Sequence, residues 1–300
     1  MKRGFLILVS LVCFATLLPM LSGLFARPKE GIAVYQVETD KTLRLPLEEF
    51  LIGVVAAEMP ALFEVESLKA QAVAARTFAV SRLQSGETLC TDASHCQAYA
   101  DKDTLKKRWG AQYNTYYRRI ADAVKATEGE IAVFEGEPIV AVFHAASSGR
   151  TENSGDVWTT DTPYLKSVES SIPAELNEME QEAVFDRLDF IHKLNSLRPT
   201  AATTPLVGQV TETDAGRVAE IVLGSATYSG TELRSLFALN STDFTIQESG
   251  NQVIIVTRGK GHGVGLSQYG CNEMAKAGKS YREILAHYYQ GTQVHKLENL

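Results

Sequence analysis

Beyond Lys2 and Arg3 the chain opens on an unbroken apolar run, Gly4 to Ala26. As a helix this run reaches roughly 34 Å, enough to cross a hydrocarbon core of ~30 Å. It predicts an uncleaved transmembrane anchor, because a signal-peptide cut after Ala26 would put bulky Leu24 where a small residue is needed. With Lys2 and Arg3 inside and no second apolar run of that length, everything from Arg27 onward is expected outside the cytoplasm. Further along, Pro46 opens a stretch with Leu47, Phe50, Leu51 and Val54 at i, i+3, i+4 and i+7, the spacing of one buried helix face, which stops at Pro60 just past Glu58. An Ala-rich helix is predicted from about Val65 to Leu83 with Gly86 as its stop, and a helical turn or two over Ala121 to Thr127.

From Gly129 the pattern changes to strands. Glu130–Phe134 and Pro138–Ala145 flank Glu135-Gly136-Glu137 as a hairpin, and Gly208–Thr213 and Arg217–Leu223 flank Asp214-Ala215-Gly216 as another. Phe244–Gln247 and Gln252–Arg258 repeat the arrangement. Short helices are expected near Glu232–Phe237, Ser267–Ala277 and Tyr281–Tyr289, and a surface helix with a loose connection between Ser170 and Pro205. Helices with mostly hairpin-connected strands make the fold class α+β rather than a doubly wound parallel sheet.

Composition adds the class of partner. The 300 residues carry a formal charge of −7, and Glu169 to Asp189 alone holds seven acids against Arg187, leaving a nearly neutral body. Such a balance excludes tracking a phosphate backbone, so nucleic acid is not an expected partner.

Three groups of residues have chemical character. Glu58 lies at a helix end among Val54, Val55, Ala56, Ala57 and Met59. Apolar surroundings disfavour the carboxylate anion, which suits a general acid for glycosidic cleavage. Cys90, His95 and Cys96 supply two sulfurs and a nitrogen within seven residues. They read as a zinc site, with a fourth position left for water or a distant ligand such as His144 or His262, or alternatively as a Cys90–Cys96 disulfide. The loop Gly259-Lys-Gly-His-Gly-Val-Gly265 leads into Gln268 and Tyr269, and with His262 these are contacts of the kind sugars accept, as are Tyr164 and Lys166. No Gly-Lys-Ser/Thr follows the glycines, so this is not a phosphate loop.

Taken in order, LEEFLIGVVAAEMP, LKAQAVAARTFAV, FHAASSGRTENSGDVW, PYLKSV, GKGHGVGLSQYG and YREILAHYYQGTQV resemble the stage II sporulation protein D family over most of residues 43–294. The resemblance implies a peptidoglycan lytic transglycosylase acting on peptide-free glycan strands, beside a cell-wall amidase and a membrane scaffold protein during forespore engulfment. It makes Glu58 the catalytic acid, Arg76, Tyr164 and Lys166 its active-site partners, and His262, Gln268 and Tyr269 groove residues. It also adds weight to zinc at Cys90, His95 and Cys96. The implied division is a cytoplasmic terminus (1–3), an anchor (4–26), a linker with a first strand (27–42) and the catalytic domain (43–300) with an acidic peripheral insertion at 169–205. The implied location is the mother-cell membrane, crossed once, with the domain in the intermembrane space. Two other readings stay open: a non-catalytic glycan-binding enhancer of an amidase, and a zinc peptidoglycan hydrolase, the latter weakened by the lack of HExxH.

Overall fold

The computed structural model describes residues 31–93, 95–171 and 180–297, so the expected anchor and the acids Glu175 and Glu178 lie outside the described residues. Among the described residues no helix is long and apolar enough to cross a membrane. The chain enters as an antiparallel pair, β1 (Ile32–Gln36) and β2 (Lys41–Leu45). Pro46 then presets the backbone for α1 (Leu47–Glu58), and α2 (Val65–Gln84) follows after a short turn. β3 (Leu89–Cys90) returns parallel to β1. Two further helices, α3 (Lys102–Trp109), capped by the Asp101 side chain, and α4 (Tyr113–Ala126), complete the helical half.

Helix α2 is the axis of the molecule because it is apolar on two sides. Leu68, Ala72, Ala75 and Ala79 face a core shared with Phe50, Leu51 and Val54 of α1 and Ile120 and Val124 of α4. Ala70, Val73 and Ala74 face a second core with Ala132, Leu266, Ile284 and Tyr288. Small side chains let neighbours approach on both faces, and every residue from Leu68 to Val80 except Lys69 is buried.

The second core is closed by β4 (Glu130–Phe134), which pairs with β5 (Glu137–Pro138). The turn between them has positive φ at both Glu135 and Gly136, the conformation that matches strand twist in a two-residue hairpin. The second strand is shorter than expected; the chain leaves it and pairs again only at β6 (Phe143–His144), before a one-turn helix, α5 (Ser154–Val157).

The region expected to hold a surface helix and a loose connection instead contributes β7 (Gln181–Asp186) and α6 (Arg187–Asn195) to a lobe with its own core. The lobe continues through β8 (Val207–Glu212), β9 (Val218–Leu223), β10 (Ala226–Ser229), α7 (Gly230–Leu236), β11 (Phe244–Ser249) and β12 (Gln252–Thr257). Phe190, Ile191 and Leu194 of α6 pack there with Ile221, Leu233, Phe237, Val253 and Ile255. Two three-stranded antiparallel sheets, β10-β9-β8 and β11-β12-β7, carry it. The chain then returns through β13 (Leu266–Ser267), parallel to β6, α8 (Gln268–Lys276), α9 (Tyr281–Tyr288) and β14 (Gln293–Lys296), which pairs with β4. Helices and largely antiparallel strands give the mixed α and β structure that the pattern predicts.

Candidate active site

Glu58 is the last residue of α1, and its carboxylate is held from two directions. The Ala98 backbone N–H donates to Oε1 at 2.8 Å, and Nε2 of buried Gln268 donates to Oε2 at 3.2 Å. The first contact depends on Gly53, one turn and a half earlier in α1. Its carbonyl accepts the Ala100 N–H at 3.2 Å, and a Cβ there would meet the Tyr99 ring at 2.4 Å, so only glycine lets the 97–100 segment lie this close. The second contact depends on α8. Asn272 of that helix accepts the Glu64 N–H at 2.8 Å, and Tyr269 meets Phe63 edge-on at 4.9 Å, tying the turn after Glu58 to the helix that carries Gln268.

Burial raises the Glu58 pKa above the ordinary carboxyl range, and the two hydrogen bonds oppose that shift without cancelling it. Its place at the carbonyl end of α1 disfavours the anion further. Among the described residues Glu58 makes no ion pair. The arrangement is a carboxyl group that can hold a proton at a higher pH than a solvated glutamate and is positioned rather than neutralised.

Of the other residues read from the sequence, Gln268 reaches Glu58, Tyr269 beside it packs on Phe63, and His262 lies a few residues upstream on the same loop. His262 accepts the Val264 N–H through Nδ1 at 3.1 Å. Burial, with Arg234 nearby, pushes its pKa down to about 4, so it is neutral at physiological pH. Tyr164 packs on Phe134 at 5.4 Å and its Oη accepts the Val140 N–H, while Lys166 pairs with Asp161 at 2.5 Å. Neither makes a hydrogen bond or ion pair with Glu58.

Arg76 requires a correction. Its side chain is 0% exposed and cannot line a groove. Nε and Nη2 donate to the two Glu48 oxygens at 2.8 and 2.6 Å, and the remaining N–H groups reach the carbonyls of Ala72, Val124 and Glu130. It fastens α1, α2, the end of α4 and β4 to one another.

The Cys90, His95 and Cys96 donor atoms lie within 4.8 Å of one another. The sulfurs are 3.0 Å apart, both cysteines are free, and His95 Nδ1 is 3.4 Å from each. Ligands of a tetrahedral zinc, at ~2.3 Å for sulfur and ~2.1 Å for nitrogen, stand roughly 3.6–3.8 Å apart, so the sulfur–nitrogen edges need to open by about 0.2 Å and the sulfur–sulfur edge by about 0.8 Å. The donor set fits the ion. The distant fourth ligands suggested by the sequence do not join it: His144 is buried with Nδ1 against the Val264 carbonyl at 3.1 Å and Nε2 against Ser147 Oγ at 2.6 Å, its ring 5.7 Å from that of His262.

Sequence reasoning missed the group that backs the glycine loop. Glu152 donates its N–H to the Gly263 carbonyl at 2.9 Å, and its buried carboxylate stands 3.5 Å from Nε of equally buried Arg217 in the lobe. Gly263 has φ +87°, and a Cβ there would strike the Arg217 guanidinium at 2.6 Å. The only available signal was the run of small and polar residues from Ala145 to Gly155, which marks a loop without saying what it holds.

The family model described as Stage II sporulation protein matches residues 35–134. Stage II sporulation protein D of Bacillus subtilis (strain 168) is 42% identical over 272 residues, covering 88% of this chain and 78% of that protein. Its counterpart from Bacillus amyloliquefaciens is 40% identical over 278 residues, with 90% and 80% covered. An amidase enhancer of Bacillus subtilis (strain 168) is 28% identical over 294 residues, covering 81% of this chain and 40% of that longer protein. The family model's span carries Glu58 and Ala98, and on its likeness to these relatives the chain belongs to the stage II sporulation protein D family.

Proposed function

We propose that this protein acts on the cell wall during sporulation as a lytic transglycosylase, cleaving between N-acetylmuramic acid and N-acetylglucosamine in peptide-free glycan strands. The observation that carries the reading is the largely desolvated, doubly hydrogen-bonded carboxyl of Glu58, which makes no ion pair among the described residues. Protonated, Glu58 gives its proton to the glycosidic oxygen as the C1–O bond breaks and positive charge develops at C1. The resulting carboxylate takes the proton from the same sugar's C6 hydroxyl as that oxygen bonds to C1. A 1,6-anhydro end forms, the starting protonation state returns, and no water is consumed. One carboxyl group therefore suffices, in contrast to the paired carboxylates of ordinary glycosidases. Gln268 and Ala98 keep the carboxyl aimed through both halves of the cycle.

Free lactyl carboxylates, left when an amidase removes the stem peptides, mark the preferred strand, and an amidase and a membrane scaffold are the proposed partners. The run Gly4–Ala26 is the proposed anchor, placing the domain outside the cytoplasm. The test of substrate order is release of reducing-end-blocked fragments from matched strands before and after amidase treatment. Treated strands are expected to react well and untreated strands poorly; equal rates would remove this preference from the reading.

Zinc is the proposed occupant of Cys90, His95 and Cys96. The ion would supply a structural clip, because Cys96 is followed at once by Gln97, whose Nε2 donates to the Ala75 carbonyl, and by Ala98, which holds Glu58. Without an ion, burial and then the neighbouring Cys90 push the Cys96 thiol up to about 11. Binding must therefore release thiol protons and weaken in acid. Elemental analysis of reduced protein after zinc readdition should find about one ion per chain, with Cys96→Ser abolishing it. A metal-free chain lighter by two hydrogens would identify the disulfide instead.

A further inference from the structure

A cleft of about 480 Å³ opens between the loop that precedes Gln268 and the lobe helix α7. Trp158 and His262 form one wall, and Thr231, Arg234 and Ser235 line the other above Leu239. No acidic residue lines it. The Trp158 ring is 40% exposed and rests against His262 at a centroid distance of 5.1 Å, while His262 is itself backed by His144. This gives a rigid aromatic plate facing solvent.

Arg234 is the group that asks for a ligand. Among the described residues its guanidinium has no hydrogen bond and no ion pair. The nearby carboxylates are committed elsewhere: Glu232 caps Ser229 and pairs with Arg198, and Glu152 pairs with Arg217. Half-burial and the neighbouring Arg217 both act against its charge, lowering its pKa. A cation kept partly desolvated beside a second cation, with no counter-charge of its own, is a standing cost that an incoming anion removes.

We propose that this cleft is a binding subsite for an acidic sugar, with Trp158 stacking on the pyranose face and Arg234 binding a carboxylate on the ring's substituent. The inference rests on the glycan reading above for the polymer concerned, within which the lactyl group of peptide-free N-acetylmuramic acid is the carboxylate available. A lactyl group still amide-linked to a peptide has no such charge, so Arg234 provides a chemical means of telling stripped from intact strands. The location suits a subsite of the same strand. Only the stretch His262 to Gln268 separates the plate from the residue that holds Glu58, which limits the Cα separation of the two to roughly 20 Å.

The test measures binding, so it does not depend on turnover. The full chain bearing Glu58→Gln is titrated with two probes, a peptide-free tetrasaccharide of alternating N-acetylglucosamine and N-acetylmuramic acid, and chitotetraose, which has no carboxylate. The first should bind more tightly, and added salt should narrow the difference. Arg234→Gln should weaken the acidic probe about ten-fold or more, the scale of one charge-assisted hydrogen bond, and leave chitotetraose unchanged. Ser235→Asp, at an exposed position of α7, should act in the same direction by repulsion. Trp158→Ala should weaken both probes. Equal affinity for the two probes, or equal losses for both in Arg234→Gln and Ser235→Asp, would overturn the subsite. Failure of the parental chain to cut strands would overturn the proposed reaction and leave this binding comparison standing.

Discussion

Glu58→Gln is expected to abolish strand cleavage while leaving the protein folded and, near neutral pH, slightly more stable. The loss should be about 10²–10⁴-fold or greater, the scale of a general acid and base. The amide keeps an oxygen to accept the Ala98 N–H, and Gln268 can turn its own amide so that its oxygen faces the new NH₂ group. The stability sign follows from the raised pKa. A carboxyl that binds its proton more tightly folded than unfolded favours the folded state at low pH, and that contribution is lost as pH rises from the unfolded to the folded pKa. Removing the ionisable group removes this loss, so thermal unfolding of Glu58→Gln should exceed that of the parent above the raised pKa and converge on it in acid. Cleavage by the parent should fall as pH rises through the same value, because the first step needs the protonated acid. A variant with parental turnover would displace Glu58 from the mechanism; one that unfolds would mean that the carboxylate's two hydrogen bonds outweigh its burial.

The largest stability effect is expected at Arg76 and Glu48. Glu48→Ala leaves a guanidinium with no exposed surface and no counter-charge, and Arg76→Gln leaves Glu48 and the Val124 and Glu130 carbonyls short of donors. Each should cost roughly 3–5 kcal/mol, the usual penalty for breaking a buried pair from one side, with the arginine change nearer the lower figure because Glu48 can recover some hydration. The double change Glu48→Leu with Arg76→Met should recover much of the loss. Urea unfolding measures this directly, and turnover at low temperature, where the variants stay folded, should be nearly parental. A variant with normal stability and a raised KM would restore Arg76 to the groove.

The contrast between Glu58 and Arg76 shows how far the sequence is legible. Helix α1 could be placed because Leu47, Phe50, Leu51 and Val54 form one stripe between two prolines, and that placement set Glu58 at an apolar helix end. Gln268 and Tyr269 followed from a glycine-rich loop opening a helix. Arg76 sits in an Ala-rich helix whose two apolar faces leave no exposed side, and nothing local distinguishes a buried arginine from a solvated one when its partner lies 28 residues away. Helix α3 has only Leu105 and Trp109 as apolar residues among charges, too few to show a stripe, and most of α4 escaped prediction because tyrosines carry much of its stripe. Tyr113, Tyr116, Tyr117, Ile120 and Val124 have helical spacing, but a residue that is half apolar weakens the pattern. In the lobe, acidic residues masked an alternation in β7, where Ala183 and Phe185 turn inward between exposed Glu182, Val184 and Asp186. Contacts such as Ala98 to Glu58 are made by backbone, which no side-chain pattern reveals.

The chemistry assigned to Glu58 is read from the mass of the ends it leaves. Purified peptide-free strands are digested with the full chain and with Glu58→Gln, and the new ends are weighed. Muramoyl ends in the 1,6-anhydro form, one water lighter than a hydrolysed end, are expected from the parent and none from the variant. Reducing, fully hydrated ends from the parent, or anhydro ends produced equally by the variant, would contradict that chemistry.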